Sequence, residues 1–276
     1  MKKLKYTALP YAVYALIFIL APIIIMVLYS FQALDGGFTF DHFLQFFNFS
    51  DPIYLKVLWR SIKLAAISTV ICFIIGYPMA FILSRVKTSI RDMIAFLFIL
   101  PMWMNFLLRT YAWMTILERT GLLNTLLNYL GLPEVNIIYT QWAVILGNVY
   151  NFLPFMILPI YNVLIKIDRS VIEAAQDLGG SSFTVFRRVI FPLSLPGVLS
   201  GVSMTFMPAV TTFTISRLLG GSGNALIGDL IENQFKYANN WGFGSAMSVV
   251  LMILILAAMN IMRKYEGENS GGSVLM

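Results

Sequence analysis

Apolar residues along the chain fall into long runs separated by short polar segments. A helix of about 20 residues, rising about 1.5 Å per residue, matches a hydrocarbon core of about 30 Å. Because backbone groups inside a bilayer must bond within their own segment, such runs predict transmembrane helices. We predict six of them, near residues 10–30, 62–84, 93–117, 141–165, 192–216 and 243–262. The predicted fold is an all-α integral membrane protein, a single polytopic domain over residues 1–276.

The fifth run is the least regular of the six. Pro192, Pro196 and Pro208 each lack the backbone N–H that a helix interior uses. Membranes tolerate such breaks where neighbouring helices or a water-lined path satisfy the freed carbonyls. We therefore expect irregular backbone in this span.

The composition also indicates a lipid environment. The 276 residues are 59% hydrophobic and 12% charged, with a mean hydropathy of +0.80, whereas soluble domains average about 25% charged residues. The basic residues behind the net charge of +6 lie between the apolar runs, which is typical of membrane topology rather than of nucleic-acid binding. With one cysteine (Cys72) and one histidine (His42), the chain offers no disulfide framework or multi-cysteine metal site. No metal or cofactor is predicted.

The distribution of basic residues predicts the orientation. If the N-terminus lies in the cytoplasm, the inner segments hold more Lys and Arg than the outer ones, as the positive-inside rule requires. We therefore predict a multi-pass protein of the cytoplasmic membrane with both termini and the loop 166–191 in the cytoplasm.

The loop 166–191 predicts two short helices joined by a sharp corner. Ser170 and Glu173 have the spacing of a capping box. The glycines at 179–180 suit the left-handed conformation that ends a helix, and a serine at 181–182 would cap the second helix.

The apolar face of that second helix would consist of Phe183, Phe186, Val189 and Ile190. Short helices need a surface to dock against. The residue pattern leaves two surfaces open, a groove on a soluble partner or the inner face of the membrane.

The same loop resembles the coupling loop of ABC importer permeases, in which Glu-Ala-Ala-x-x-x-Gly is followed by Leu-x-Pro. The residues that we assign to coupling are Glu173, Ala174, Ala175, Asp177, Gly179, Pro192 and Pro196. The resemblance implies that this loop sits in a cleft of a separate ATPase subunit and converts closure of the cleft into opening of the permease. It also implies two ATPase copies, a second homologous permease and an extracytoplasmic solute-binding protein as partners.

Other segments resemble the permeases of spermidine/putrescine importers more closely. They lie at residues 153–161, 208–209, 218–221 and 241–244. This resemblance implies a polyamine as the solute and a polyamine-binding protein as the extracytoplasmic partner. Importers of iron, sulfate, phosphonate or thiamine share the scaffold and remain the alternatives.

Candidate residues of the translocation path are polar, aromatic or acidic groups near span interiors and outer ends. They are Asn105, Tyr111, Trp113, Asn151, Asp229 and Glu232. Arg217 beside such a path would repel a polycation unless it pairs with Asp229 or Glu232. Trp113 is alternatively a membrane-interface anchor, the default role of tryptophan near the end of a span.

Other function classes find less support. No Asp or Glu lies in the middle of a predicted span, where ion-coupled carriers use one. Intramembrane enzymes are disfavoured because the chain has no H-E-x-x-H motif and no acidic pair at membrane depth. A G-x-x-x-x-G-K-[ST] phosphate loop is also missing, so ATP hydrolysis is assigned to a partner. The chain is predicted to be a transport subunit and not an enzyme.

Overall fold

The structure, a computed structural model, describes residues 9–33 and 36–270. These residues form helices and connecting loops, with an isolated β-bridge between Gln32 and Phe38. Numbered in chain order, the helices are α1 (Leu9–Ala15, a π-helical turn Leu16–Leu20, and Ala21–Ser30), α2 (Asp41–Phe46), α3 (Ile53–Arg85), α4 (Thr88–Ile99), α5 (Phe106–Leu117), α6 (Leu122–Tyr129), α7 (Gln141–Leu164), α8 (Arg169–Asp177), α9 (Ser182–Val185, a π-helical turn Phe186–Ile190, and Phe191–Thr211), α10 (Ile227–Lys236) and α11 (Trp241–Ser270). The predicted all-α fold is confirmed.

Within the described residues, five helical segments are long and apolar enough to cross a membrane alone. They are Val13–Ser30, Ile53–Arg85, Gln141–Leu164, Ser182–Thr211 and Trp241–Met262. A sixth crossing results if the bent pair Met93–Trp103 and Phe106–Tyr129 forms one span. The two parts of that pair meet at 89°.

The region predicted as one span at 93–117 is therefore not a straight helix. The side chain of Asn105 caps α5, because its Oδ1 accepts hydrogen bonds from the backbone N–H of Leu107 at 2.8 Å and of Leu108 at 3.4 Å. Pro101 lies just before this cap in a short 3-10 turn, Leu100–Trp103. A capping residue inside an apolar run starts a new helix even though hydropathy stays high.

The fifth span also differs from its predicted bounds of 192–216. Its helix α9 begins at Ser182, inside the predicted loop, and a π-helical turn precedes Pro192. The helix ends at Thr211, and after extended backbone at Thr212 a separate π-helical turn follows at Ser216–Gly220. The expected irregular backbone lies at both ends of this span.

The core of the bundle consists of α3, α7 and α9, which pack against one another. The close approach of α9 to α7 depends on glycines in α9. A Cβ atom at Gly197 would lie 2.8 Å from the carbonyl oxygen of Pro159, and one at Gly201 would lie 2.9 Å from the sulfur of Met156. Buried side chains form one cluster near α8 and another toward the opposite end of the bundle, while α1 packs along α11.

Candidate functional site

Helix α8 begins with a side-chain cap at its first turn. Asp168 has extended backbone, and its Oδ1 accepts a hydrogen bond from the backbone N–H of Ser170 at 3.0 Å. This bond holds the pKa of Asp168 below its ordinary value. The predicted capping box of Ser170 with Glu173 is wrong, because the helix starts earlier and Ser170 already lies in its first turn.

Two glycines end α8 in a Schellman motif. Gly179 has a φ of +83°, its N–H donates to the carbonyl of Gln176 at 2.8 Å, and the N–H of Gly180 donates to the carbonyl of Ala175 at 3.1 Å. A Cβ at Gly180 would lie 2.5 Å from the Ala175 oxygen. Gly179 is needed for its conformation and Gly180 for close approach, so the corner of the loop is fixed.

Helix α9 starts immediately after this corner. Ser181 is its cap, since the Oγ accepts from the N–H of Thr184 at 3.3 Å. Val185 and Ile190 are buried against the bundle. Phe183, which the sequence placed on the same apolar face, is instead 70% exposed.

Helix α8 rests on the bundle with one face and presents the other to solvent. Ile172 and Ala175 are half-buried and pack against the cluster near α8. Of the other residues assigned to coupling, Pro196 is half-buried and five are exposed, namely Glu173, Ala174, Asp177, Gly179 and Pro192. Four of these exposed residues belong to α8 or to the glycine corner that ends it, whereas Pro192 lies on α9.

Sequence reasoning missed the exposed apolar residues of that surface. Val171 and Leu178 are exposed, and Leu178 is 90% accessible. They lie on one side of α8 because residues two turns apart share a helix face. The available signal was this seven-residue spacing of two apolar residues, next to the half-buried Ala175 on the helix surface.

At the opposite end of the bundle, Asp229 and Glu232 on α10 are engaged in internal contacts. Asp229 is buried and its Oδ2 accepts from the Oγ of Ser216 at 2.5 Å and from the N–H of Leu226 at 2.7 Å. Burial raises the pKa of Asp229, and the hydrogen bond from Ser216 opposes that rise. Glu232 pairs with the guanidinium of Arg217 at 2.5 Å and with the ammonium of Lys236 at 2.7 Å.

Helix α3 anchors the loop that leads into α10. The guanidinium of Arg60 donates to the carbonyl oxygens of Gly223, at 2.9 Å, and Ala225, and the Oγ of Ser61 accepts from the N–H of Ile227 at 2.8 Å. These contacts join residues far apart in the chain, and nothing in the local sequence pattern indicated them.

The remaining path candidates occupy two other helices and different environments. Asn105 and Tyr111 are exposed on α5, and Asn105 serves as a helix cap. Asn151 is buried in α7, and its amide group donates to the carbonyl of Gly147 at 2.8 Å.

The ring of Trp113 packs edge-on against Tyr150, with centroids 5.2 Å apart. Both rings line an open cavity of about 660 Å³ whose other walls include Ile71, Trp142 and Leu146. Such an apolar lining suits an apolar group better than an unpaired cation.

Comparison with known proteins settles the family. The family described as "Binding-protein-dependent transport system inner membrane component" matches residues 72–266. The chain belongs to this family. It is therefore a multi-pass membrane component of a binding-protein-dependent transport system, and the predictions of an ABC permease and of a transport subunit that is not an enzyme are confirmed. Membership also supports the predicted partnership with an ATPase and a solute-binding protein.

Two curated relatives cover most of the chain. It is 39% identical over 246 residues to "Spermidine/putrescine transport system permease protein PotB" of Haemophilus influenzae, which covers 86% of this chain and 85% of the relative. The protein of the same name from Escherichia coli K12 is 37% identical over 247 residues, covering 87% and 89%. The predicted resemblance to polyamine permeases is confirmed.

Solved structures share the fold at low sequence identity. A chain of a bacterial alginate ABC transporter, crystallised with an alginate pentasaccharide-bound periplasmic protein, has a TM-score of 0.79 at 19% identity and covers 95% of this chain and 94% of its own. A chain of the MetNI methionine ABC transporter in an inward-facing conformation has a TM-score of 0.57 at 19% identity, covering 78% and 95%. These likenesses support the ABC permease fold.

Proposed function

We propose that the chain is a permease subunit of an ATP-driven importer of polyamines, with spermidine and putrescine as its solutes. The observation that carries this proposal is the 39% identity, over 86% of the chain, to a permease named for those two solutes. The fold does not choose the solute, because its structural neighbours belong to alginate and methionine transporters. The pairing of Arg217 with Glu232 supports a cationic solute, because it partly neutralises a charge that would repel one.

Coupling would occur through α8, with Glu173, Ala174, Ala175, Asp177, Gly179, Pro192 and Pro196 as the coupling residues. The fixed corner at Gly179 and the exposed Val171 and Leu178 support a rigid knob that docks in a groove of the ATPase. The transporter would contain two ATPase copies, a second homologous permease and an extracytoplasmic polyamine-binding protein.

The membrane orientation is part of the same proposal, with both termini and α8 in the cytoplasm. Exposed basic residues near α8 support it, namely Lys166, Arg169, Arg187 and Arg188. Exposed carboxylates toward the other end, among them Asp41, Asp51 and Glu118, suit a mouth that receives cations.

The proposed path retains Asn105, Tyr111, Trp113, Asn151, Asp229 and Glu232. Glu232 would act by neutralising Arg217, and Asp229 would act by holding the loop at Ser216 in place, since both carboxylates already bind neighbours. Direct contact with solute is proposed for the exposed Asn105 and Tyr111. Trp113, in the wall of an apolar cavity, would contact the apolar part of a solute and not its charge.

Uptake of labelled spermidine tests this function in cells with and without the gene, in a host that has no other polyamine importer. We expect uptake to disappear on deletion and to be competed by putrescine and unlabelled spermidine, but not by an iron chelate. Uptake that persists in the deletion strain would contradict the polyamine assignment while leaving the family assignment intact.

A further inference from the structure

Helix α6 lies between α5 and α7 in the chain. It begins at Leu122, soon after α5 ends at Leu117, and the following loop leads to α7 at Gln141. Leu117 and Leu123 also pack in the cluster that contains the first residues of α7. Helix α6 therefore lies beside the end of α7, at the end of the bundle opposite α8.

A buried asparagine fixes the rotation of α6 about its own axis. The amide group of Asn124 donates to the carbonyls of Arg119 and Val135, both at 3.1 Å, and its Oδ1 accepts from the N–H of Val135 at 2.9 Å. Because this side chain bonds the segments before and after the helix, α6 cannot turn freely. The directions of its three faces are therefore defined.

One face of α6 is turned toward the protein, with Asn124 buried and Leu123 and Leu127 half-buried. A second face carries the exposed polar residues Thr125 and Asn128. The third face is an exposed apolar stripe, with side chains between 56% and 88% accessible, formed by Leu122, Leu126, Tyr129 and Leu130.

Charge is confined to the flanks of this helix. Residues 120–133 include no charged side chain. Arg119 and Glu134 stand on either side, 3.5 Å apart, and the amide group of Asn128 donates to Glu134 at 3.3 Å. The charged pair therefore lies with the polar face and not with the apolar stripe.

We propose that α6 is an interfacial helix whose apolar stripe lies in the boundary between lipid headgroups and acyl chains, beside the bundle. Amphipathic helices of this kind insert their apolar face about 5–10 Å into that boundary. Trp142 at the start of α7, the helix beside which α6 lies, is also exposed, and tryptophan at a span end is typical of this level.

The lipid surface fits the stripe better than a protein partner does. A solute-binding protein approaches from water, and the face of α6 that carries charge and amides is the one formed by Asn128 with Arg119 and Glu134. That polar face remains free for water or protein when the stripe is in lipid. The proposal does not depend on which solute is carried.

Spin labels at single cysteines test this arrangement. Cys72, the only native cysteine, is buried and is replaced by alanine. Labels are placed at Leu126→Cys and Tyr129→Cys on the stripe, and at Thr125→Cys and Asn128→Cys on the polar face as matched controls. The complete transporter is reconstituted in vesicles of phosphatidylethanolamine and phosphatidylglycerol, and transport by each variant verifies its fold.

We expect dissolved oxygen to relax the stripe labels more than a water-soluble nickel chelate does, with the reverse at the control positions. Stripe labels that respond mainly to the nickel chelate would place the stripe in water and overturn the proposal. Stripe labels protected from both reagents would mean that protein covers them, which also overturns it. Leu122→Cys provides a second stripe position if either first label impairs transport.

Discussion

The acidic side chains within α8 are exposed, whereas those within α10 are bonded to neighbouring residues of the protein. Glu173 and Asp177 on α8 are exposed. Asp229 on α10 is buried and bonded to Ser216, and Glu232 is paired with Arg217. The same residue type therefore meets two different physical situations at the two ends of one bundle.

Replacing these carboxylates should therefore cause different defects on α8 and on α10. An exposed carboxylate without fixed geometry adds little to stability, so its replacement tests contact with a partner. A buried carboxylate that satisfies backbone and hydroxyl donors holds its loop in place, and its removal leaves those donors unpaired. Variants near α8 should lose coupling and keep the fold, while variants near α10 should lose stability first.

The largest effect is expected for Gly179→Asp at the corner after α8. The φ of +83° disfavours a residue with a Cβ, at a cost of about 1–2 kcal/mol, and the carboxylate would stand on the proposed docking surface. Uptake of labelled spermidine should be abolished while the amount of subunit in the membrane stays near the wild-type level.

Gly131→Asp is the matched control for this variant. Gly131 has a φ of +70°, and a Cβ there, as at Gly179, would meet no atom within 4 Å. This control carries similar backbone strain at the opposite end of the bundle and should keep most uptake. Uptake near the wild-type rate in Gly179→Asp would refute the coupling assignment.

Asp229→Ala should cause the next largest effect, this time on stability. It leaves the N–H of Leu226 and the hydroxyl of Ser216 without their acceptor, at about 1–3 kcal/mol for each buried group left unpaired. Thermal unfolding of the detergent-solubilised protein measures the loss. Asp229→Asn retains an acceptor oxygen and should lose much less; equal losses in the two variants would contradict the role of these bonds.

The same residue predicts a pH dependence of stability. Because burial raises the pKa of Asp229, the folded protein keeps this proton at pH values where the unfolded chain has released it. Folding therefore takes up a proton in the window just above the ordinary carboxyl pKa, and the contribution of Asp229 to stability falls as pH rises through that window. Asp229→Asn should flatten this slope in melting curves recorded from acidic to neutral pH.

Local sequence pattern predicted the elements that depend on local physics. Apolar run length indicated the spans, because a helix needs about 20 mostly apolar residues to cross the hydrocarbon core. The corner at Gly179 was predicted because a Schellman ending needs a residue that tolerates positive φ. The cap of α8 was assigned wrongly, because Asp168 and Ser170 are both capping residues and only the helix start decides between them.

Contacts between distant residues could not be predicted in this way. Asn105 interrupts a run whose hydropathy stays high, so a hydropathy average missed the break. The burial of Asp229 depends on Ser216, and the loop before α10 depends on Arg60, which lies 163 residues from its partner Gly223. Such side chains acquire their environment only when the bundle assembles.

A smaller effect is expected when the exposed apolar surface of α8 is trimmed. Leu178 is 90% accessible, and Leu178→Ala should weaken binding of the partner ATPase about tenfold, or about 1.4 kcal/mol, without lowering the melting temperature. Binding is measured with the permease in nanodiscs. Leu132→Ala, an exposed leucine at the other end, should leave ATPase affinity unchanged; similar weakening in both variants would exclude a specific contact.

The smallest effect is expected at the cap that starts α9. Ser181 caps this helix through the N–H of Thr184, whereas its neighbour Ser182 is the first helical residue and makes no such bond there. Loss of a serine cap costs about 1 kcal/mol, so Ser181→Ala should speed amide hydrogen exchange at residues 182–185 and lower uptake modestly, and Ser182→Ala should do neither. Because this cap lies directly behind the corner at Gly179, faster exchange with unchanged uptake would mean that coupling tolerates a loose corner. Faster exchange together with lower uptake would show that transport depends on a rigid corner after α8.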